Sequence, residues 1–104
     1  MDVFQAVADP VRRRLVEALA HGERSAGELA DRAQEQFGVQ QSGTSKHLKV
    51  LRDSGLVTSR VDGARRVYRL QPERLAEIAS WADRQARFWN DKLDALEREL
   101  EEER

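Results

Sequence analysis

The chain has 104 residues, no cysteine, 36% Asp, Glu, Lys and Arg, and a net charge of −1. That length provides one domain with a modest core, to which self-association would add burial, and the lack of cysteine excludes disulfides, thiolate catalysis and sulfur-ligated zinc. No apolar run approaches the roughly 18 residues of a membrane span and no secretory apolar segment opens the chain, so a cytoplasmic protein that does not enter membranes is the expectation.

Residues 1–8, with Val3, Phe4, Val7 and Ala8 apolar, read as a short N-terminal helix for a dimer contact. Asp9-Pro10 interrupts them and starts a second helix, with Asp9 as cap and proline in the first turn. Val11, Leu15, Ala18 and Leu19 give it a buried stripe, and Gly22 stops it. Arg12-Arg13-Arg14 is expected on a solvated face, paired with Glu17 and its neighbours. Ser25-Ala26-Gly27-Glu28 fits a capping box and opens a third helix through Leu29, Ala30, Ala33 and Phe37 to Gly38. A brief turn at Val39-Gln40 leads into Gln40 to Gly55, completing a helix-turn-helix pattern.

In that fourth helix Thr44, His47, Leu48 and Leu51 share one face, while Ser42, Lys46, Lys49 and Asp53 share the other, with Ser45 on the flank. Short residues at the helix start (Ser42, Gly43, Thr44, Ser45) allow close approach, and the lysines that follow suit phosphates. This is the pattern of a helix read into a major groove. After Gly55 the chain becomes extended: Leu56 to Val61 and Arg65 to Leu70 flank Asp62-Gly63, a hairpin signal. Arg65 and Arg66 beside the turn can reach phosphates or a minor groove.

Charge supports that assignment. Residues 39–69 hold seven cations against Asp53 and Asp62, a net +5. Residues 1–38 hold five cations against seven anions, and residues 70–104 six against ten. A basic middle on an acidic body is the footprint of a nucleic-acid surface.

Pro72 starts a last helix that runs to about Glu102. Leu75, Ala79, Ala82, Ala86, Trp89, Leu93, Leu96 and Leu100 are spaced alternately by four and three, a heptad seam that needs a second helix. Ile78, Trp81 and Phe88 form a flanking stripe expected to pack on the first helix at Phe4 and Val7. The fold class is therefore mainly α with a small β-hairpin wing, a winged helix-turn-helix. It divides into residues 1–8 as N-terminal dimer helix, 10–70 as core and 72–102 as C-terminal dimerisation helix.

The expected DNA contacts are Gln41, Ser42, Ser45 and Lys46 at bases and Lys49, Arg65 and Arg66 at phosphates. The expected dimer contacts are Phe4, Val7, Ala82, Ala86, Trp89, Leu93 and Leu96. His47 is expected to pack inside. No nucleophile-base pair, glycine-rich phosphate loop or cofactor motif is found, so no enzyme and no cofactor are expected. His21 and His47 cannot close a metal site without several carboxylates. The alternatives are a winged-helix protein-interaction module whose long helix recruits a partner, and a metal-responsive repressor with a non-cysteine site.

Several stretches together resemble the ArsR/SmtB-type winged-helix repressors across nearly the whole chain: Ala8 to Leu15, Ser25 to Leu29, Ser45 to Val57, and the arginine-bearing hairpin ending in Tyr68-Arg69-Leu70. The resemblance implies a homodimer that binds a near-palindromic operator in double-stranded DNA, represses transcription and is released by an effector. Gln40-Gln41-Ser42 stands where serine-glutamine-proline is usual at the helix start. The cysteine pair of many metal-sensing members is missing and the last helix has no histidine, so DNA binding and dimerisation carry over and metal sensing does not.

Overall fold

Short polar residues set where the helices begin in the computed structural model, which describes residues 1–104. Asp2 accepts the Gln5 backbone N–H at 2.8 Å and Gln5 accepts the Asp2 N–H at 3.0 Å. This complete capping box, unread in the sequence, starts α1 (Val3–Ala6). Asp9 accepts the N–H groups of Val11 and Arg12 and, with Pro10 in the first turn, starts α2 (Pro10–Ala20). Both devices satisfy backbone donors that a helix start leaves open.

Ser25 caps α3 (Ala26–Phe37), accepting the Glu28 N–H at 3.2 Å. The expected capping box forms only in half. The Glu28 carboxylate takes the Ser25 hydroxyl at 3.2 Å and faces Arg24 at 3.8 Å, because Ser25 is itself part of a strand. That strand, β1 (Arg24–Ser25), is two residues long and has no periodicity to betray it. It pairs antiparallel with β3 (Arg65–Leu70), Arg24 opposite Tyr68 and Ser25 opposite Val67. On the other side β3 pairs with β2 (Val57–Asp62), giving a three-stranded sheet in the order β1-β3-β2 where the sequence suggested a bare hairpin.

The β2–β3 turn is one residue further along than Asp62-Gly63. Asp62 pairs with Arg65, so Gly63 and Ala64 are the loop. Only Gly63 has positive φ, at 63°, as the first central residue of a type II′ turn requires.

Between α3 and the sheet lies α4 (Gln41–Asp53). It ends in a Schellman closure: Gly55 N–H donates to the Arg52 carbonyl at 3.0 Å and Leu56 N–H to the Leu51 carbonyl at 3.1 Å. Gly55 stands at φ 82°, a left-handed conformation that selects glycine.

Leu15, Leu19, Leu29, Leu48, Leu51, Leu56, Val57, Tyr68 and Leu70, with Val3 and Ala6, form one buried cluster from α1 to β3. At about 1.5–3 kcal/mol for each fully buried aliphatic side chain, this cluster fixes α4 against α2, α3 and the sheet. Val7, Val11, Leu75 and Ile78 pack around it, half-buried.

Helix α5 (Pro72–Glu102) has 31 residues, none fully buried. It projects from the body, and the molecule measures 71 × 27 × 24 Å. Trp81 meets Phe4 edge-on at 5.5 Å between ring centroids, as the flanking stripe required. Phe88 does not follow. It is 55% exposed and stacks edge-on against Trp89 with Lys92 Nζ 5.4 Å from its ring centre. Seven residues past Trp81 is ~10 Å along the axis, beyond a four-residue α1. No helix is long and apolar enough to cross a membrane.

Candidate nucleic-acid interface

Helix α4 sorts its residues more finely than the sequence suggested. Thr44, Leu48 and Leu51 are buried at 2% exposure or less, which anchors one face. Gly43 also turns inward: a Cβ there would meet Val39 Cγ1 at 2.9 Å, so its smallness accommodates the turn before the helix and not a ligand. The outward side carries Gln41, Ser42, Ser45, Lys46 and Lys49, all exposed. Ser42, Ser45, Lys46 and Lys49 are spaced by three and four, so they line up along one ridge. Two hydroxyls and two ammonium groups on one ridge offer neutral hydrogen-bond donors and acceptors towards the start of the helix and positive charge further along it.

The buried Thr44 hydroxyl has no partner.

The structure gives several cations of the basic segment a carboxylate of their own. Lys49 Nζ bonds Asp53 at 2.9 Å, and that bond holds the Asp53 carboxyl below its usual range. Arg65 faces Asp62 at 3.6 Å across the β2–β3 turn. Arg60, not singled out in the sequence, pairs with Glu23 at 2.9 Å, tying β2 to the chain before β1. Their hydrogen bond lowers Glu23 and raises Arg60. Arg66 donates to Ser59 Oγ at 3.2 Å. Arg65 and Arg66 are both exposed on β3, beside the tip of the wing.

Arg12 departs from expectation. Arg14 does pair with Glu17, at 3.0 Å, but the Arg12 guanidinium turns inward. It donates to the carbonyls of Ala6 at 2.7 Å and Gln5 at 3.2 Å, and meets His47 Nδ1 at 3.2 Å. One side chain thus closes the C-terminal end of α1 and grips the inner face of α4. His47 is half-buried, as expected of an inward residue. Receiving that bond requires the tautomer with its proton on Nε2. A signal was present: at 100° per residue Arg12 falls between Leu19 and Val16 on the α2 wheel, inside the buried arc.

The helices at the chain ends leave an apolar seam open. Trp89 is 64% exposed, and Leu93, Leu96 and Leu100 lie between 51% and 56%. Ala82 and Ala86 are exposed on the same line, whereas Phe4 is engaged by Trp81 and Val7 leans into the core. Nowhere do three His, Asp or Glu side chains gather in a geometry that could hold a metal ion.

Residues 7–60 match a family model described as a helix-turn-helix domain. The chain is 44% identical over 90 residues to the HTH-type transcriptional regulator Rv2034 of Mycobacterium tuberculosis, covering 86% of this chain and 78% of that protein. Its fold superposes on the ArsR-like transcriptional regulator from Rhodococcus sp. RHA1 with a TM-score of 0.79 and 30% identity, covering 95% and 87% of the two chains. It also superposes on Mb0332 of Mycobacterium bovis, solved as a homodimeric winged helix-turn-helix DNA-binding domain, with a TM-score of 0.63 and 30% identity over 81% and 74%.

Proposed function

The chain belongs to the ArsR-type winged helix-turn-helix transcriptional regulators, and on that premise we propose that it is a homodimeric repressor that reads a near-palindromic operator through α4. Gln41, Ser42, Ser45 and Lys46 approach base edges, and Lys49, Arg65 and Arg66 hold phosphates. The observation that carries this reading is the exposed ridge on α4, whose opposite face is locked into the core through Thr44, Leu48 and Leu51. A rigid inner face is what allows a short polar ridge to be presented in fixed register.

Pairing two copies through α1 and the open seam of α5, around Ala82, Ala86, Trp89, Leu93 and Leu96, buries the aromatic and leucine side chains that a single chain leaves in water. Two copies of α4 then enter successive major grooves about 34–36 Å apart. A small-molecule effector that releases the dimer is part of the same proposal.

Selection of bound fragments from random duplex DNA, followed by gel shifts at several salt concentrations, tests it. The selected sites are expected to be two-fold symmetric. Lys49→Ala weakens binding to every sequence and lowers the slope of log affinity against log salt by about 1, while Gln41→Ala and Ser45→Ala change which sequences are selected. Selection that enriches no sequence, together with an unchanged slope for Lys49→Ala, overturns the assignment.

A further inference from the structure

Between α2 and α3 lies a groove of about 180 Å³ that no residue of α1, α4 or α5 lines. It is separate from both surfaces assigned above. Val11, Leu15, Ala18 and Ala33 supply apolar walls, and the Phe37 ring at the end of α3 stands 41% exposed at its mouth. Phe37 is the last residue of α3, so its ring stands where the helix gives way to the turn before α4. The groove is half open and half of its lining is polar, with His21 and Gln36 beside the apolar walls, and its volume leaves room for one six-membered ring.

The rim is electropositive. Arg14 and Arg32 border the groove, and Arg13 borders a second opening that shares Arg14, Glu17 and Phe37 with it. Three of the five cations in residues 1–38 therefore gather at one place in a segment of net charge −2. Glu17 is the one carboxylate on the rim, and Arg14 holds it at 3.0 Å. Neither Arg13 nor Arg32 has a side-chain hydrogen bond or ion pair. A cation surplus beside an apolar slot complements a ring or short branched chain that carries a single carboxylate, which a guanidinium can bind through two parallel hydrogen bonds.

We propose that this α2–α3 groove binds a small aromatic or branched-chain carboxylate, with the apolar part against Leu15 and Phe37 and the carboxylate on Arg32. Its occupancy reaches the reading helix by a short path. Three residues, Gly38 to Gln40, separate Phe37 from α4, and Val39 packs so closely on the first turn of α4 that a methyl group on Gly43 would collide with it. A ligand that wedges Phe37 outward displaces Val39, and with it the end of α4 that carries Gln41 and Ser42. This regulatory half rests on the proposed DNA-binding role; the binding half does not.

The test is an NMR titration of the full chain, followed through backbone amides, with sodium benzoate, neutral benzamide and sodium sulfate as probes. Benzoate is expected to saturate with Kd near ~1 mM, moving amides of residues 11–18 and 32–37. Benzamide is expected to bind at least tenfold more weakly, and sulfate to leave the apolar walls unmoved. Arg32→Gln weakens benzoate about tenfold with unchanged far-UV circular dichroism. Saturating benzoate changes duplex affinity of the native chain and not of Phe37→Ala. Shifts that map elsewhere, equal binding of benzamide, or native-like benzoate binding by Arg32→Gln overturns the site. Binding in the groove that leaves duplex affinity unchanged overturns the coupling. A protein that binds benzoate as expected but no duplex refutes the DNA-binding role and leaves the site standing.

Discussion

Replacing Arg12 by alanine removes three contacts at once: the donations to Ala6 O at 2.7 Å and Gln5 O at 3.2 Å, and the contact with His47 Nδ1 at 3.2 Å. A hydrogen bond from a charged donor contributes about 1.5–3 kcal/mol and a neutral one about 1 kcal/mol. The three contributions share one side chain, and Arg12 is half-buried, so water recovers part of each when it is gone. A net loss of about 2 kcal/mol follows, which lowers Tm by ~10 °C for a domain of this size. Because dimerisation makes Tm depend on concentration, native and variant are compared at one protomer concentration. Arg12→Lys, with a single ammonium in place of the planar fork, recovers at most half of the loss. A double-mutant cycle with His47→Ala returns a coupling of about 0.5–1 kcal/mol for the contact between α2 and α4. Duplex affinity falls because the inner face of α4 is released, but the salt slope is unchanged because Arg12 touches no phosphate. Native thermal stability in Arg12→Ala, or a slope reduced by about 1 with stability intact, would show that Arg12 is an external contact and refute the clasp.

Two further outcomes follow from groups at the edges of the core. Burial pushes the Asp9 carboxyl up, but the Arg12 and Val11 N–H groups it accepts from and the Arg12 charge outweigh it, so its pKa lies below the ordinary value. A carboxyl lowered in the folded state contributes stability that is fully present above its unfolded value, about pH 4, and is lost as pH falls through the lower folded value; Asp9→Asn still caps α2 and should flatten that acid limb in urea titrations at several pH values, and an unaltered limb would remove the assignment. For the α5 seam, Trp89→Ala combined with Leu93→Lys is expected to give a monomer in sedimentation equilibrium with helical content close to native, and a variant that remains dimeric would place the interface elsewhere.

The parts of the fold legible in the sequence were those with a period or a stop signal. Asp9-Pro10, Ser25, Gly38 and Gly55 mark helix limits because each solves a backbone problem local to its own turn. The α5 seam shows because seven repeats of an apolar spacing outweigh any single exception. What failed to show was set by tertiary partners. β1 exists only because Tyr68 and Val67 of β3 lie opposite Arg24 and Ser25. The β2–β3 turn shifted by one residue because register is fixed by cross-strand pairing along the whole of β3, whereas a glycine signal locates a turn only to within a residue. At the candidate interface the residue types on the α4 ridge were readable, as was the place of Arg12 in the buried arc of α2, but the inward role of Gly43 and the partners of Arg12 were not. One depends on Val39 from the preceding turn and the other on carbonyls in α1.

The counterions on the basic surface bear on how such a protein avoids binding DNA indiscriminately. Asp53 is the last residue of α4, where a negative charge opposes the helix dipole, and its carboxylate bonds Lys49 one turn back at 2.9 Å. Together with Glu23 on Arg60 and Asp62 on Arg65, it occupies a cation that a phosphate would otherwise engage freely. On the proposed reading the phosphate contacts of Lys49 and Arg65 are each an exchange of one anion for another, which weakens attraction to correct and incorrect sequences alike. Discrimination then falls to the base-facing groups, and less protein is held on non-specific sites. Asp53→Asn frees Lys49 without removing it. It is expected to raise affinity for selected and random duplexes by the same factor, about threefold at low salt as suits an exposed pair, with their ratio unchanged. If only the selected duplex gains, Asp53 acts in base recognition; if neither gains, Lys49 does not reach a phosphate and its place among the phosphate contacts is lost.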